Sequence, residues 1–569
     1  MIPGESLRPQ QPAASPAARP DVRWAARAVA ETGVVLLLLA VAILLQWAAG
    51  AYSSEMAHHP DEGAHYITGL MVRDYAAEGF PGRPVPFAQR FYVRFPKIAF
   101  GVWPPLFHLI LGVWLLPTPD GRASVLVLMA AIMAAAGYLL YRSLRPVAGW
   151  AAALLVALLL VLLPLSQTLT DTVMVDSLVM LTELAGALLM ARWLRTGANR
   201  DALWVGAMAG LACMTKGNGV AAVLAVPLAI VFSRRWNLLR KAGIYWAALI
   251  AVVLGLAWQV QAVRLLSRMA SFHTFSYAGL RGACEYYLLF LYHSLGWALG
   301  ALILLGVLAV AGSVKRHGGA WELWTAMGAV ALSVLIFHIV IPHQTDGRYL
   351  LACIAPSLVF LVPGAQTLAS IQPLVRIAPG WRVPLVLACV LAIFFGLVFE
   401  IPKAPHFGFR EVAQWLESHP LPGRRYLVVS ESSGEGGFVA EVASGTDRRI
   451  PGPSVMRASK FMFVSDWNGH GYKLVYGDAG SALTDIERMG ISYVVVDSTP
   501  ELSRLPHWDQ VREMVGQYPG RLQLAARFPA GENRRVRSLD IYRVLHFADP
   551  PSRKFEFQLN YTLGGTVGE

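Results

Sequence analysis

His58-His59-Pro60-Asp61-Glu62-Gly63-Ala64-His65-Tyr66 lies near the start of a stretch, residues 52–103, unlike what surrounds it. The stretch follows the apolar run 32–50, yet it carries acids, histidines and the cations Arg73, Arg83, Arg90, Arg94 and Lys97. Connections between elements usually have a handful of residues, so a polar loop of this size beside apolar helices is usually functional. It is read as the catalytic loop of a membrane enzyme.

Working outward, the rest of the chain is built for lipid. Of its 569 residues 55% are hydrophobic and only 15% charged, and its mean hydropathy is +0.48, which marks a polytopic membrane protein. The net charge of +12 lies largely in short connections between apolar runs. Positive residues there set membrane orientation, so no nucleic-acid partner is inferred. Cys213, Cys284, Cys353 and Cys389 are scattered without metal-ligand spacing, and the three that lie in apolar segments read as small core residues. Residues 1–28 are rich in Pro and Ala and show no cleavage site before the polar loop, so they read as a disordered cytoplasmic tail.

A span needs about twenty apolar residues. Eleven candidates follow: 30–50, 123–141, 148–165, 177–194, 202–216, 218–233, 242–260, 286–311, 321–341, 349–370 and 384–401. Residues 102–117 decide the topology. If they lie at the surface and the N-terminus is inside, the inner connections hold Arg142, Arg145, Arg195, Arg200, Arg234, Arg235, Arg240, Lys241, Lys315, Arg316, Arg376 and Arg382. The short outer connections then hold only Lys216 and Arg348, in keeping with the positive-inside rule. A full crossing by 102–117 would invert that bias, and Pro104, Pro105 and Pro117 also argue for an amphipathic or re-entrant helix.

Three parts are therefore expected: the tail 1–28, a transmembrane domain 29–402 with 52–121 as its outside loop, and an extracytoplasmic α/β domain 403–569. In that last part strand-like runs at 426–430, 492–497, 522–528 and 539–544 alternate with helical stretches near 409–418 and 481–489, the second closed by Gly490. The run Ser432-Ser433-Gly434-Glu435-Gly436-Gly437 lacks the lysine and glycine spacing of nucleotide-binding loops and reads as a plain turn.

Certain polar residues have no cheap reason to be where they are. In a helix Asp61 would share a face with His65, and Glu62 with Tyr66, so only one acid can point into a given site. A partly desolvated carboxylate there can act as a general base; the alternative is an acidic pair capping a surface helix. Asp171 and Asp176 fall between two apolar runs at the same outer face, where a charge can also snorkel into headgroups. Lys216, in Met214-Thr215-Lys216-Gly217-Asn218, is suited to hold a phosphate or to snorkel; Arg348, in Thr345-Asp346-Gly347-Arg348-Tyr349, can clamp a phosphate or pair with Asp346. All map to one side of the membrane.

Five loose motifs in order carry a resemblance. They are Asp61-Glu62 with Tyr66, Trp103-Pro104-Pro105-Leu106, Asp171 with Asp176, Gly210-Leu211-Ala212 leading to Thr215-Lys216-Gly217, and Gly347-Arg348-Tyr349-Leu350. Over roughly residues 30–400 the chain resembles polyprenyl-phosphate-dependent glycosyltransferases of the GT-C fold, in the branch of protein O-mannosyltransferases and the lipid A aminoarabinose transferase. The resemblance implies Asp61 as catalytic base with Glu62 as second candidate. It implies substrate contacts from His65, Tyr66, Lys97, Asp171, Asp176, Lys216 and Arg348. Trp103 stands where lipid A-modifying members tend to carry a lysine, and the nearest lysine is Lys97. The activity expected is transfer of a sugar from a polyprenyl-phosphate donor to a hydroxyl of an envelope glycan, lipid or protein at the outer face of the cytoplasmic membrane, with no cofactor or metal required. A lipid or sugar transporter is the alternative, but such proteins often show internal repeats and midplane charges, and no repeat is found here.

Overall fold

The computed structural model describes residues 22–98, 101–266, 275–312, 320–341, 345–372, 374–445, 448, 452–465, 469–498, 505–530, 537–553, 556–559 and 565–568. The first helix, α1 (Val22–Ala49), starts ahead of the expected 30; residues 1–21 of the expected tail lie outside the described residues. The outer loop then folds into three helices: α2 (Glu62–Ala77), α3 (Pro84–Arg94) and α4 (Leu106–Trp114). With nine residues α4 rises about 14 Å, under half a hydrocarbon core of about 30 Å, so 102–117 does not cross. It lies along α2 instead, so close that Gly69 and Gly112 leave no room for a Cβ against Leu111 and Val72.

Among the described residues eight helices are long and apolar enough to span a membrane. All eleven expected runs are helical, and the two counts differ for local reasons. One is the 41-residue α5 (Arg122–Leu162), which contains two expected spans and breaks where Gly149 adopts φ 80°. After α6 (Asp176–Thr196), the runs 202–216 and 218–233 form α7 (Asn199–Thr215) and the shorter apolar helix Gly217–Ser233. The bundle's core joins α1, α5, α6 and later spans through residues such as Leu140, Val156, Leu184 and Leu351, while Trp47, Leu249 and Leu288 face outward as lipid contact requires.

The C-terminal part holds a five-stranded sheet. In chain order its strands are β1 (Arg425–Val429), β2 (Ser454–Arg457), β3 (Tyr493–Asp497), β4 (Leu522–Pro529) and β5 (Ser538–Val544). The spatial order is β2-β1-β3-β5-β4, parallel through β2, β1 and β3 and antiparallel beyond. The parallel strands are buried nearly throughout, as strands covered on both faces must be.

Two points of the sequence reading change. The run 432–437 is no turn: it opens α8 (Ser432–Gly445), and its glycines serve helix packing. A Cβ on Gly63 of α2 would lie 2.5 Å from the carbonyl oxygen of Gly436, so the two helices cross in near backbone contact. The outer loop and the C-terminal part also share one apolar core, in which Met56, Tyr66, Phe91 and Phe107 pack with Phe409, Val428 and Phe438. Polar ties reinforce it. Buried Glu55 accepts the N–H groups of Phe407 and Gly408, each at 2.8 Å, and Arg448 pairs with Asp74 at 2.6 Å and Asp120 at 2.7 Å.

Candidate active site

Four segments distant in sequence meet at one end of the bundle. Arg348, in the turn Gly347–Leu350, pairs with Asp61 at 3.5 Å and Asp346 at 2.8 Å, and its Nη1 donates to His59 Nδ1 at 3.4 Å. Lys216, just past α7, donates to Asp176 Oδ1 at 2.7 Å. Its ammonium lies 4.5 Å from the centre of the Tyr349 ring, against which the Arg348 guanidinium also packs, at 5.2 Å. His338 stacks behind Tyr349 at 5.0 Å. Two cations and three carboxylates thus occupy one partly open chamber, with Asp176 buried and Arg348 half-buried in its wall.

Asp61 and Glu62 face opposite ways. Asp61 is the N-cap of α2 by position, but its side chain makes no capping hydrogen bond. The capping alternative would place that carboxylate on a backbone N–H of the first turn; here it reaches Arg348 and remains 36% exposed. Glu62 is fully buried. It pairs with Arg122, also buried, and accepts the N–H of Val173 at 3.2 Å. Burial alone would raise its carboxyl, yet Arg122 and His58 override this and hold it at about 2. A carboxylate so committed is a poor proton acceptor and a good strut.

The other expected site residues divide between chamber and scaffold. His65 lies one turn below Asp61, its N–H donating to the Asp61 carbonyl, and its ring stacks on Trp103 at 4.1 Å and shares a 3.0 Å hydrogen bond with His108. Burial, helped by the charges of His108, Lys216 and Arg348, drives His65 well below the ordinary histidine range. Tyr66 points away from the chamber: its hydroxyl accepts from Gly121 N–H and Ser444 Oγ, each at 2.8 Å, fastening α2 to α8. Lys97 donates to the Ser432 carbonyl at 3.1 Å, and burial together with the charge of Arg457 pushes it down to about 7. Asp171 sits with Arg122 and Glu62, its carboxyl pushed up to about 7 by burial.

The sequence reading passed over His59, Asp346 and Arg122 as site-shaping residues. Asp346 stood two residues before Arg348; Arg122 was hidden as the flank of a span. Among the described residues Glu55, His406 and Glu411 bring ligand-type atoms within 4.8 Å of one another. Both Glu55 oxygens already accept backbone N–H groups, so this group reads as a junction of the polar loop with the C-terminal part.

Comparison with known proteins gives this geometry a context. Residues 103–259 match the family model described as dolichyl-phosphate-mannose-protein mannosyltransferase. ArnT from Cupriavidus metallidurans, in the apo state, is 13% identical with a TM-score of 0.57, over 90% of this chain and 98% of that one. The chain has the GT-C fold of that ArnT. It also resembles ArnT from the same organism bound to undecaprenyl phosphate, at 13% identity and a TM-score of 0.56 over the same 90% and 98%. The Archaeoglobus fulgidus oligosaccharyltransferase tethered to an acceptor peptide is a weaker likeness, at 15% identity and 0.47, over 82% of this chain and 69% of that one. No curated protein matches the sequence.

Proposed function

We propose that the chain is a glycosyltransferase that moves a sugar from a polyprenyl-phosphate donor to an acceptor hydroxyl of an envelope glycan, lipid or protein at the outer face of the cytoplasmic membrane. The observation that carries this reading is the meeting of Asp61, Arg348, Lys216 and Asp176 in one chamber at the outer bundle end. Asp61 takes the proton of the acceptor hydroxyl, whose oxygen attacks the anomeric carbon while the bond from that carbon to the phosphate oxygen breaks. The leaving polyprenyl phosphate gains charge, and Lys216 and Arg348 stabilise it, sharing their charge with Asp176 and Asp346. A leaving group with one phosphate needs no metal in this scheme. Orientation follows from the basic inner connections: N-terminus cytoplasmic, C-terminal part extracytoplasmic.

A place for the tail supports a lipid donor. A wholly apolar cavity of about 220 Å³ lies among α6, α7, the Gly217–Ser233 helix and the Ala242–Ala251 helix, lined by Trp193, Val205, Ala209, Val226 and Ala247. Lys216 stands at the outer end of α7, the helix that forms one wall. The α7 residues that line the cavity, Ala202 to Ala209, lie about two to four turns from Lys216, so an isoprenoid chain with its phosphate at the cations would run down the bundle to enter it. ArnT's structure with undecaprenyl phosphate points to the same donor class.

The test is transfer of label from a polyprenyl-phosphate sugar to envelope acceptors by the purified protein in liposomes. Lys216→Ala should raise the KM for the donor about tenfold or more, the loss of one charge-assisted contact of roughly 1.5–3 kcal/mol. Translocation of intact donor without bond cleavage would replace the enzyme with a transporter, and a donor KM indifferent to Lys216 would remove that residue from the phosphate site.

A further inference from the structure

His59 stands between the two groups on which the proposed chemistry turns, and its two ring nitrogens are used unequally. Nδ1 accepts the backbone N–H of Asp61 at 3.1 Å and an Arg348 N–H at 3.4 Å. A nitrogen that accepts from two donors keeps its lone pair free of a proton, so the ring is the neutral tautomer with hydrogen on Nε2. Nε2 has no hydrogen-bond partner among the described residues, and the side chain is 32% exposed. Pro60 follows immediately, so the position of this ring is set by the rigid entry into α2.

We propose that His59 is a positioning residue. As a neutral imidazole it accepts, through Nδ1, one donor from the chain segment of the base and one from the phosphate-holding cation, and so fixes the distance between them. The inference rests on the reading of Asp61 as base and Arg348 as phosphate contact. Protonation of Nδ1 would turn this acceptor into a donor, expel both N–H groups, and set a cation beside Arg348. The chamber then works only while His59 is uncharged, and activity falls on the acid side.

The groups facing His59 are Asp61 and His65 from its own segment, Asp346 and Arg348 from the start of the 347–350 turn, and Asp176 from α6. Burial and then Arg348 push its ring below the ordinary 6.5, against the pull of Asp61, Asp346 and Asp176. A histidine whose folded form disfavours the proton stabilises the protein fully at high pH, and that stabilisation erodes as pH falls below about 6.5.

Three variants separate the possibilities. Asparagine can place an oxygen acceptor near the position of Nδ1, glutamine reaches the position of Nε2, and alanine supplies neither. His59→Asn should keep kcat within about threefold of wild type, whereas His59→Gln and His59→Ala should lose about 10- to 100-fold, the usual range for misplacing an acceptor between a base and a cation. His59→Asn should also lose the acid limb of the pH–rate profile, which lies below 6.5. Gln active with Asn inactive would make Nε2 a substrate contact and overturn the proposal, as would three equally active or three equally inactive folded variants.

A readout without substrate separates this from failure of the parent reading. Between pH 7 and 5 the melting temperature of the wild-type protein should fall by more than that of His59→Asn. Equal falls overturn the proposal even if the correct donor has not been supplied. Equal falls with an intact pH–rate difference would do so too, since the titrating group would then be another.

Discussion

At the scale of single residues, two adjacent acids of identical charge are put to opposite uses. Asp61 is a third exposed and faces Arg348, while Glu62 is sealed against Arg122. Asp61→Asn should therefore abolish transfer and leave stability within about 1 kcal/mol, because a partly solvated pair contributes little to folding. Glu62→Gln should behave in reverse. Removing one partner of a buried pair leaves the Arg122 charge uncompensated, at a cost of about 3–5 kcal/mol, seen as a lower melting temperature and poor yield. The acid side offers a second check. Glu62 is held at about 2 in the folded protein against an ordinary 4.5, so its stabilising contribution is complete above about 4.5 and is lost as pH falls toward 2. That acid destabilisation should be blunted in Glu62→Gln. Stable Glu62→Gln with lost activity, beside an active Asp61→Asn, would reassign the base to Glu62.

At the scale of elements, the orientation of α2 is imposed by α8 of the C-terminal part. The contact is made by glycines, and the two sides of it differ. A Cβ on Gly63 would meet the Gly436 carbonyl, which cannot yield, whereas a Cβ on Gly436 would meet only the flexible end of Lys97, at 2.9 Å. Gly63→Ala should thus destabilise by about 1–3 kcal/mol, the usual cost of overpacking, and reduce activity by shifting Asp61; Gly436→Ala should do neither to a comparable degree. Melting curves in detergent decide it, and equal losses would mean the crossing is looser than drawn. This contact also shows where sequence reading stops. The spans, the short α4 and four of the five strands were legible because apolar runs and alternation are local signals. The glycine-rich 432–437 was read as a turn because nothing local tells a turn glycine from one required by a helix arriving from 370 residues away. Tyr66 was placed in the site by the family resemblance, but its hydroxyl goes to Gly121 and Ser444.

At the scale of the whole molecule, charge asymmetry carried the reading furthest. The basic connections assigned one side, and that assignment brought Asp61, Asp176, Lys216 and Arg348 to the same end, where the structure has them in contact. Composition also marked a break near 403, and here its message was incomplete. A change from apolar to mixed sequence signals the end of the lipid-embedded part, but it carries no information about which apolar residues of the new part are needed by the old one. Phe409, Val428 and Phe438 fill a core whose other half is Met56, Tyr66 and Phe107 of the outer loop, and Arg448 closes it by pairing with Asp74 and Asp120. Cutting the chain after residue 402 would therefore leave the loop with its apolar half-core open to water and with Asp74 and Asp120 deprived of their buried arginine. Each large side chain so exposed forfeits about 1.5–3 kcal/mol, more in sum than the margin by which domains are usually stable. The truncated protein should insert in the membrane but lose the fold of residues 52–121, which limited proteolysis of that loop and aggregation on size exclusion would reveal. A monodisperse, protease-resistant 1–402 fragment that still transfers sugar would mean that the C-terminal part is an appendage and that α2 holds its place without it.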